Sequence, residues 1–353
     1  MKAFVAKSPE TPASLIEIDS SEPADGEVSI AIAACGLNFA DLLLGKGQYQ
    51  EKRPHPVTLG MELAGTITAL GAGVEGFEIG EKVAVFAGAG GLAEQGCFPA
   101  ERCVKLPSNM PMDIAAGFQV AYGSSHLALL EARLQPGETL LVLGAAGGVG
   151  LTAVEIGKLM GARVIACARG VAKGEIARKA GADYVFESED PDLKSKLKEL
   201  GGADVVFDPV GGPGFRTALS ATRPRGRILL IGFTSGDLPD IPANHLLVKN
   251  VSVLGFWWGG FMGFAPEALT SSLTQLLRWY AQGKLNPHIS TVLPLERASE
   301  GLDLIRSRKA TGKVVICCDG SEALLHKWLS GRLSPFPRWT YPRGTVPGMP
   351  SAV

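Results

Sequence analysis

The segment LLVLGAAGGVG, residues 140–150, restricts most strongly what this chain can become. An apolar run of strand length stops in a cluster of glycines, a helical stretch (TAVEIGKLMGA) follows, and a second apolar run, RVIAC, comes after it. Strand, tight turn, helix and strand in that order form a unit with a phosphate cradle at its turn. Gly144 allows the turn off the strand, Gly147 and Gly148 let backbone amides approach a pyrophosphate, and Gly150 lets the helix pack close to the sheet. Ala146 and Val149 lie on the same turn and belong to the expected cofactor-binding set.

The end of the second strand selects the dinucleotide. An acidic side chain there would bind a ribose 2′-hydroxyl and repel a 2′-phosphate. The chain reads Cys167, Ala168, Arg169, Gly170, with Lys173 close behind. No carboxylate stands in that run, and a guanidinium suited to phosphate does. Solvated surface charge is the other reading of Arg169 and Lys173. The expectation is NADPH rather than NADH.

At 353 residues, with 46% hydrophobic side chains, the chain is long enough for two cores. Its 34 basic and 35 acidic side chains leave a formal charge of -1, no footprint for nucleic acid or an anionic membrane. Six cysteines are scattered without a C-x-x-C pair, which argues against a disulfide framework or a zinc ribbon and suits a reducing compartment. Without a signal-like start or an apolar run of spanning length, the expected location is cytoplasmic.

The texture predicts an α/β protein of two parts. Residues 1–117 carry short β-rich runs between Gly, Pro and Asp turns, an irregular β domain with few helices. Residues 118–259 alternate helix and strand, implying a doubly wound parallel sheet. Residues 260–319 are expected to return to the first domain, with the cleft between the domains as the active site. VSVLGF reads as an apolar edge strand that dimer pairing would cover. The stretch 320–353, rich in Pro, Ser, Gly and Arg, is expected to be a poorly ordered tail.

Several stretches in order, among them GLNFADLLLGKGQY, TLGMELAGTITALGAGVEGFEIGEKVAVF, GRILLIGFTSG, IPANHLLVKN and KATGKVVI, resemble the quinone oxidoreductases, the zinc-independent ζ-crystallin-like branch of the medium-chain dehydrogenase/reductases. The resemblance runs from Met1 to about Ile316 and leaves out only the tail. It implies a GroES-like catalytic domain on a Rossmann domain, usually as a homodimer, and NADPH-linked reduction of a quinone or conjugated carbonyl compound. Zinc-dependent relatives have a cysteine where this chain has Asn38 and a histidine where it has Met61. An amide and a thioether leave too few ligands for catalytic zinc.

The resemblance also implies roles. Asn38 matches an asparagine near the nicotinamide ribose, Asp41 would orient that region or relay a proton, and the Tyr49 phenol would hydrogen-bond the substrate oxygen. Capping of a helix across ADLLLG is the competing reading of Asn38 and Asp41, and an ordinary aromatic that of Tyr49. Phe233 and Ser235 fall where the family's backbone loop approaches the nicotinamide half. Ser124 stands where relatives commonly carry a threonine near the cofactor. Arg308 and Lys313 are weaker candidates for the adenosine phosphate. Leu43 and Gly45 replace a tyrosine and a basic residue of many relatives, making the pocket mouth more apolar. Trp257 and Trp258 read equally as an aromatic wall over the substrate or as core or interface tryptophans. The five histidines form no ligand-spaced cluster, and Cys35 reads as a small buried hydrophobe.

These observations converge on a zinc-free NADPH-dependent oxidoreductase passing hydride directly to a quinone or enone. Enoyl-thioester reduction on coenzyme A or a carrier protein is the alternative within enzymes. A non-catalytic NADPH-binding sensor or structural protein is the alternative of another class.

Overall fold

The computed structural model describes residues 1–320. The expected tail therefore lies, but for Gly320, outside the described residues. The first domain holds two sheets. Strands β1 (Lys2–Ala6), β2 (Ser14–Glu17) and β4 (Val57–Thr58) form a small antiparallel sheet in the order β2-β1-β4. The larger sheet takes β3 (Glu27–Gly36), β5 (Glu62–Leu70), β6 (Lys82–Phe86) and β8 (Cys103–Lys105), with β7 (Gln95–Pro99) paired to β3. Its two remaining strands, β15 (Ile289–Pro294) and β16 (Lys313–Cys317), come from the far end of the chain. Strand β16 lies antiparallel to β3, Val315 facing Gly36, which brings Lys313 to the start of helix α1 (Phe39–Gly45).

The second domain is a parallel sheet ordered β11-β10-β9-β12-β13-β14. These strands are Thr139–Val142 (β9), Arg163–Ala168 (β10), Tyr184–Glu187 (β11), Ala203–Asp208 (β12), Thr222–Leu230 (β13) and Ser252–Gly255 (β14). Every residue of β9 is buried, because helices cover both faces of a parallel sheet and leave its central strands no solvent side. From β9 the chain winds outward one way through β10 and β11, then crosses back and winds the other way from β12. The reversal opens a crevice beyond the carboxyl ends of β9 and β12, where doubly wound sheets bind ligands.

Helices α2 (Met112–Ala116), α3 (Gln119–Glu131), α4 (Gly148–Leu159), α5 (Val171–Lys179), α6 (Leu193–Glu199), α7 (Gly212–Ala221) and α8 (Ala243–Lys249) occupy the joints and crossovers. Helices α9 (Phe261–Phe264) and α10 (Pro266–Ala281) follow, and α11 (Ala298–Arg306) precedes the last strand. The apolar face of α10 packs on α3, with Leu269, Leu273 and Leu276 buried, and the chain re-enters the first domain's sheet at Ile289. Helix α10 needs α3 to cover that face. One core cluster runs across both parts, from Met61 and Phe86 through Phe118 and Trp258 to Leu140 and Phe207. Among the described residues no helix is long and apolar enough to cross a membrane.

Candidate active site

The glycine turn performs the geometry its sequence requires. Gly144 sits at φ +58°, and a Cβ there would lie 2.9 Å from Val210 Cγ2. A Cβ on Gly150 would lie 2.2 Å from the Gly144 carbonyl oxygen, so only glycine lets α4 start this close to the turn. Gly147 is the N-cap, and the first amides of α4 have no intrahelical acceptor. They face a cleft of about 270 Å³ lined by Gly144 and 146–150 on this side. Asp208 shapes the facing wall, its Oδ1 accepting from the amides of Val210 (2.8 Å) and Gly211 (2.9 Å).

Three basic residues gather at one end. Arg169 and Lys173 line the cleft from β10 and α5, and Arg308 reaches it from the turn after α11. Lys173 Nζ donates to the Arg308 carbonyl oxygen (2.5 Å), and Arg308 Nη2 donates to the carbonyl oxygens of Thr234 (2.9 Å) and Ser235 (3.2 Å). Burial, and after it the neighbouring guanidinium of Arg169, holds the Lys173 ammonium below its ordinary value. An anion between them would relieve that repulsion. Residues 167–170 carry no carboxylate, but the adjacent strand supplies one: Glu187 Oε2 accepts from the Gly170 amide (2.6 Å). Glu189 Oε1 also stands 3.4 Å from Arg169 Nε. Both partners of that pair are more than half exposed, so it is weak and leaves Arg169 able to turn to a phosphate.

The other end of the cleft is a buried polar network. Asn38 is the N-cap of α1, and Asp41 returns a carboxylate oxygen to the Asn38 amide (2.8 Å). The other Asp41 oxygen accepts from the Gly60 amide (3.1 Å). Asp41 is fully buried, and desolvation pushes its carboxyl up to about 6 against those two donors and the Lys313 charge. The Asn38 side chain turns to the cleft wall. Its Nδ2 donates to Glu62 Oε1 (3.0 Å) and to the Gly36 carbonyl (3.2 Å), and its Oδ1 accepts from Lys313 Nζ (2.7 Å). Lys313 Nζ also donates to Glu62 Oε1 (2.7 Å) and the Leu37 carbonyl (2.8 Å), while Glu62 Oε2 accepts from the Val120 amide (2.9 Å). Capping and cleft placement thus coexist in the Asn38–Asp41 pair. Lys313 does not reach the adenosine end, because its register on β16 consumes all three ammonium protons beside Asn38.

The adjacent tryptophans divide between site and core. Trp258 is buried edge-on against Phe86, ring centroids 4.7 Å apart, and against Gly123, where a Cβ would fall 2.7 Å from its Nε1. Trp257 is 40% exposed and donates from Nε1 to the Tyr49 hydroxyl (3.0 Å), across the domain junction. Burial raises the Tyr49 phenol above its ordinary value, and the indole donor pulls it back in part. Tyr49 and Asp41 are not on the wall of the 270 Å³ cleft.

Ser124 is buried within α3, and Ala121, one turn earlier, faces the cleft instead. In the loop after β13, Thr234 lines the cleft, while Ser235 Oγ donates to the Asp237 carbonyl (3.2 Å) and Phe233 lies beside Gly211. Residues 233–236 form a tight turn, closed by the Gly236 amide donating to the Phe233 carbonyl (2.9 Å), and of its side chains Thr234 is the one on the cleft wall. Glu62 and Thr234 were missed, since nothing in either's local sequence announces a partner. Among the described residues no three His, Cys, Asp or Glu side chains gather where they could hold a metal ion.

Comparison with known proteins agrees with this architecture. Residues 24–108 match the alcohol dehydrogenase GroES-like domain, and residues 148–280 match a family described as zinc-binding dehydrogenase. The chain is 39% identical over 300 residues to quinone oxidoreductase-like protein 2 homolog of Nematostella vectensis, covering 82% of this chain and 81% of that one. Among solved structures, the quinone oxidoreductase of Thermus thermophilus, described with its NADPH complex, superposes with a TM-score of 0.80 at 32% identity, covering 90% of this chain and 100% of that one. The Escherichia coli quinone oxidoreductase complexed with NADPH gives a TM-score of 0.84 at 26% identity over the same shares. With its GroES-like sheet, its doubly wound parallel sheet and a relative this similar over four-fifths of its length, the chain belongs to the quinone oxidoreductase family of the medium-chain dehydrogenase/reductases.

Proposed function

We propose that this protein is an NADPH-dependent reductase acting on a quinone or an α,β-unsaturated carbonyl compound. The observation that carries the reading is one continuous cleft with a glycine cradle in its middle, three cationic side chains at one end and an ordered amide at the other. The cradle fits a pyrophosphate, since a Cβ on Gly150 would fill the space the turn needs. Arg169, Lys173 and Arg308 fit a 2′-phosphate.

Bound NADPH would supply the hydride and the protein its orientation and electrostatics. The amides at the start of α4 would hold the pyrophosphate. Asn38, fixed by Lys313 and Glu62, forms the inner wall that limits how deep the nicotinamide end can enter. Tyr49 would donate a hydrogen bond to the negative charge that develops on the acceptor oxygen during reduction. Solvent supplies the proton that completes the reduced product. Two such subunits would pair through the edge strand β14.

Exposed Phe264 and Trp257 favour a second reading, an enoyl thioester whose acyl chain would cover them. Purified protein with NADPH and, in parallel, a naphthoquinone, a simple enone and crotonyl-coenzyme A separates the two. Oxidation with the quinone or enone supports the first, and oxidation with the thioester alone replaces it with the second. NADPH binding without turnover of any of the three favours a non-catalytic binding protein.

A further inference from the structure

We infer that Trp257 is a positioning residue that holds the Tyr49 hydroxyl as an acceptor, leaving its hydrogen free for donation to the substrate oxygen. The inference rests on the proposed reductase activity for its consequence and on a geometry independent of that activity. An indole N–H donates and cannot accept, so at 3.0 Å from Trp257 Nε1 the Tyr49 oxygen must be the acceptor. Among the described residues the phenol has no other hydrogen-bond partner, so its own hydrogen stays available. The rings stand edge to face, 6.4 Å apart at 79°, which sets the direction of the contact.

What holds a side chain 40% exposed in one place is the pair of glycines after it. The indole lies across Gly259 and Gly260. A Cβ on Gly260 would fall 2.7 Å from Trp257 Cε3, and one on Gly259 3.2 Å from its Nε1. The run Trp257, Trp258, Gly259, Gly260 thus reads as one device. Trp258 anchors it in the core, the glycines provide a floor, and Trp257 projects to the catalytic domain. Donation from the indole also stabilises the phenolate, which makes the phenol a stronger hydrogen-bond donor at neutral pH.

The test is a double-mutant cycle with a naphthoquinone and NADPH, using W257F, Y49F and the double variant. W257F is expected to lower kcat about fivefold, leave the KM for NADPH unchanged, and move the alkaline fall of the rate to higher pH. The double variant is expected to match Y49F. A W257F effect that adds in full to that of Y49F overturns the proposal, because Trp257 would then act through packing alone. A Y49F enzyme as fast as wild type removes Tyr49 and Trp257 together while leaving the reductase reading intact. If no acceptor is turned over, the geometry is still decided by the 15N-labelled indole resonance of Trp257, assigned by its loss in W257F. In Y49F it is expected to shift upfield and exchange faster with water, and an unmoved resonance overturns the inference.

Discussion

The Lys313 ammonium stands 2.7 Å from Glu62 Oε1 with both side chains buried, joining the last strand of the catalytic domain to its sheet interior at the inner wall of the cleft. Removing one partner strands a charge in a site that water does not reach. Lys313→Ala is therefore expected to cost about 3 to 5 kcal/mol in urea unfolding, and Glu62→Leu with Lys313→Met together less than either alone. Equal losses for the double and single variants would mean that packing of the lysine stem, and not the charge, is what counts.

At the opposite end of the cleft, Arg169→Ala is expected to raise the KM for NADPH about tenfold, as loss of one charge-assisted contact would, and to leave the KM for NADH unchanged. Steady-state kinetics with both cofactors check it. An equal rise for both would assign Arg169 to the fold of the turn instead.

Gly150→Ala puts a methyl group 2.2 Å from a backbone oxygen that no rotamer can move. It is expected to destabilise the protein by about 1 to 3 kcal/mol and to weaken NADPH binding, because α4 must withdraw from the pyrophosphate. Tryptophan fluorescence titration with NADPH reads the second effect, and unchanged affinity would separate the turn from the cofactor.

Burial lifts the Asp41 carboxyl to about 6, above its unfolded value. The native state thus holds a proton the unfolded state has lost. Its contribution is fully present below pH about 4 and is lost as pH rises through about 6, an effect on the order of 2 to 3 kcal/mol. Urea midpoints measured across that window are expected to fall with rising pH more in wild type than in Asp41→Asn. Parallel profiles would refute the raised value.

The glycine turn was legible because every constraint on it is local: strand, turn and helix all lie between Thr139 and Leu159, and Gly144 and Gly150 meet each other. The alternation of helix and strand, hence the parallel sheet, was legible for the same reason, since hydrophobic period is a property of neighbouring residues. The packing of α10 on α3 was not, because amphipathicity shows that a helix has a face to cover but not what covers it.

The chemistry of the site was decided by contacts between distant residues. Lys313 and Glu62 are 251 positions apart, Trp257 and Tyr49 are 208 apart, and the Glu187 carboxylate at Gly170 comes from the next strand. The sequence by itself determined the cradle, the fold class and the cationic residues available for a phosphate. Only the tertiary structure decided that Lys313 serves the inner wall and not the adenosine end, and that two adjacent tryptophans have opposite fates. Strand register and domain closure choose which side chains meet, and neither is written in any local stretch of the chain.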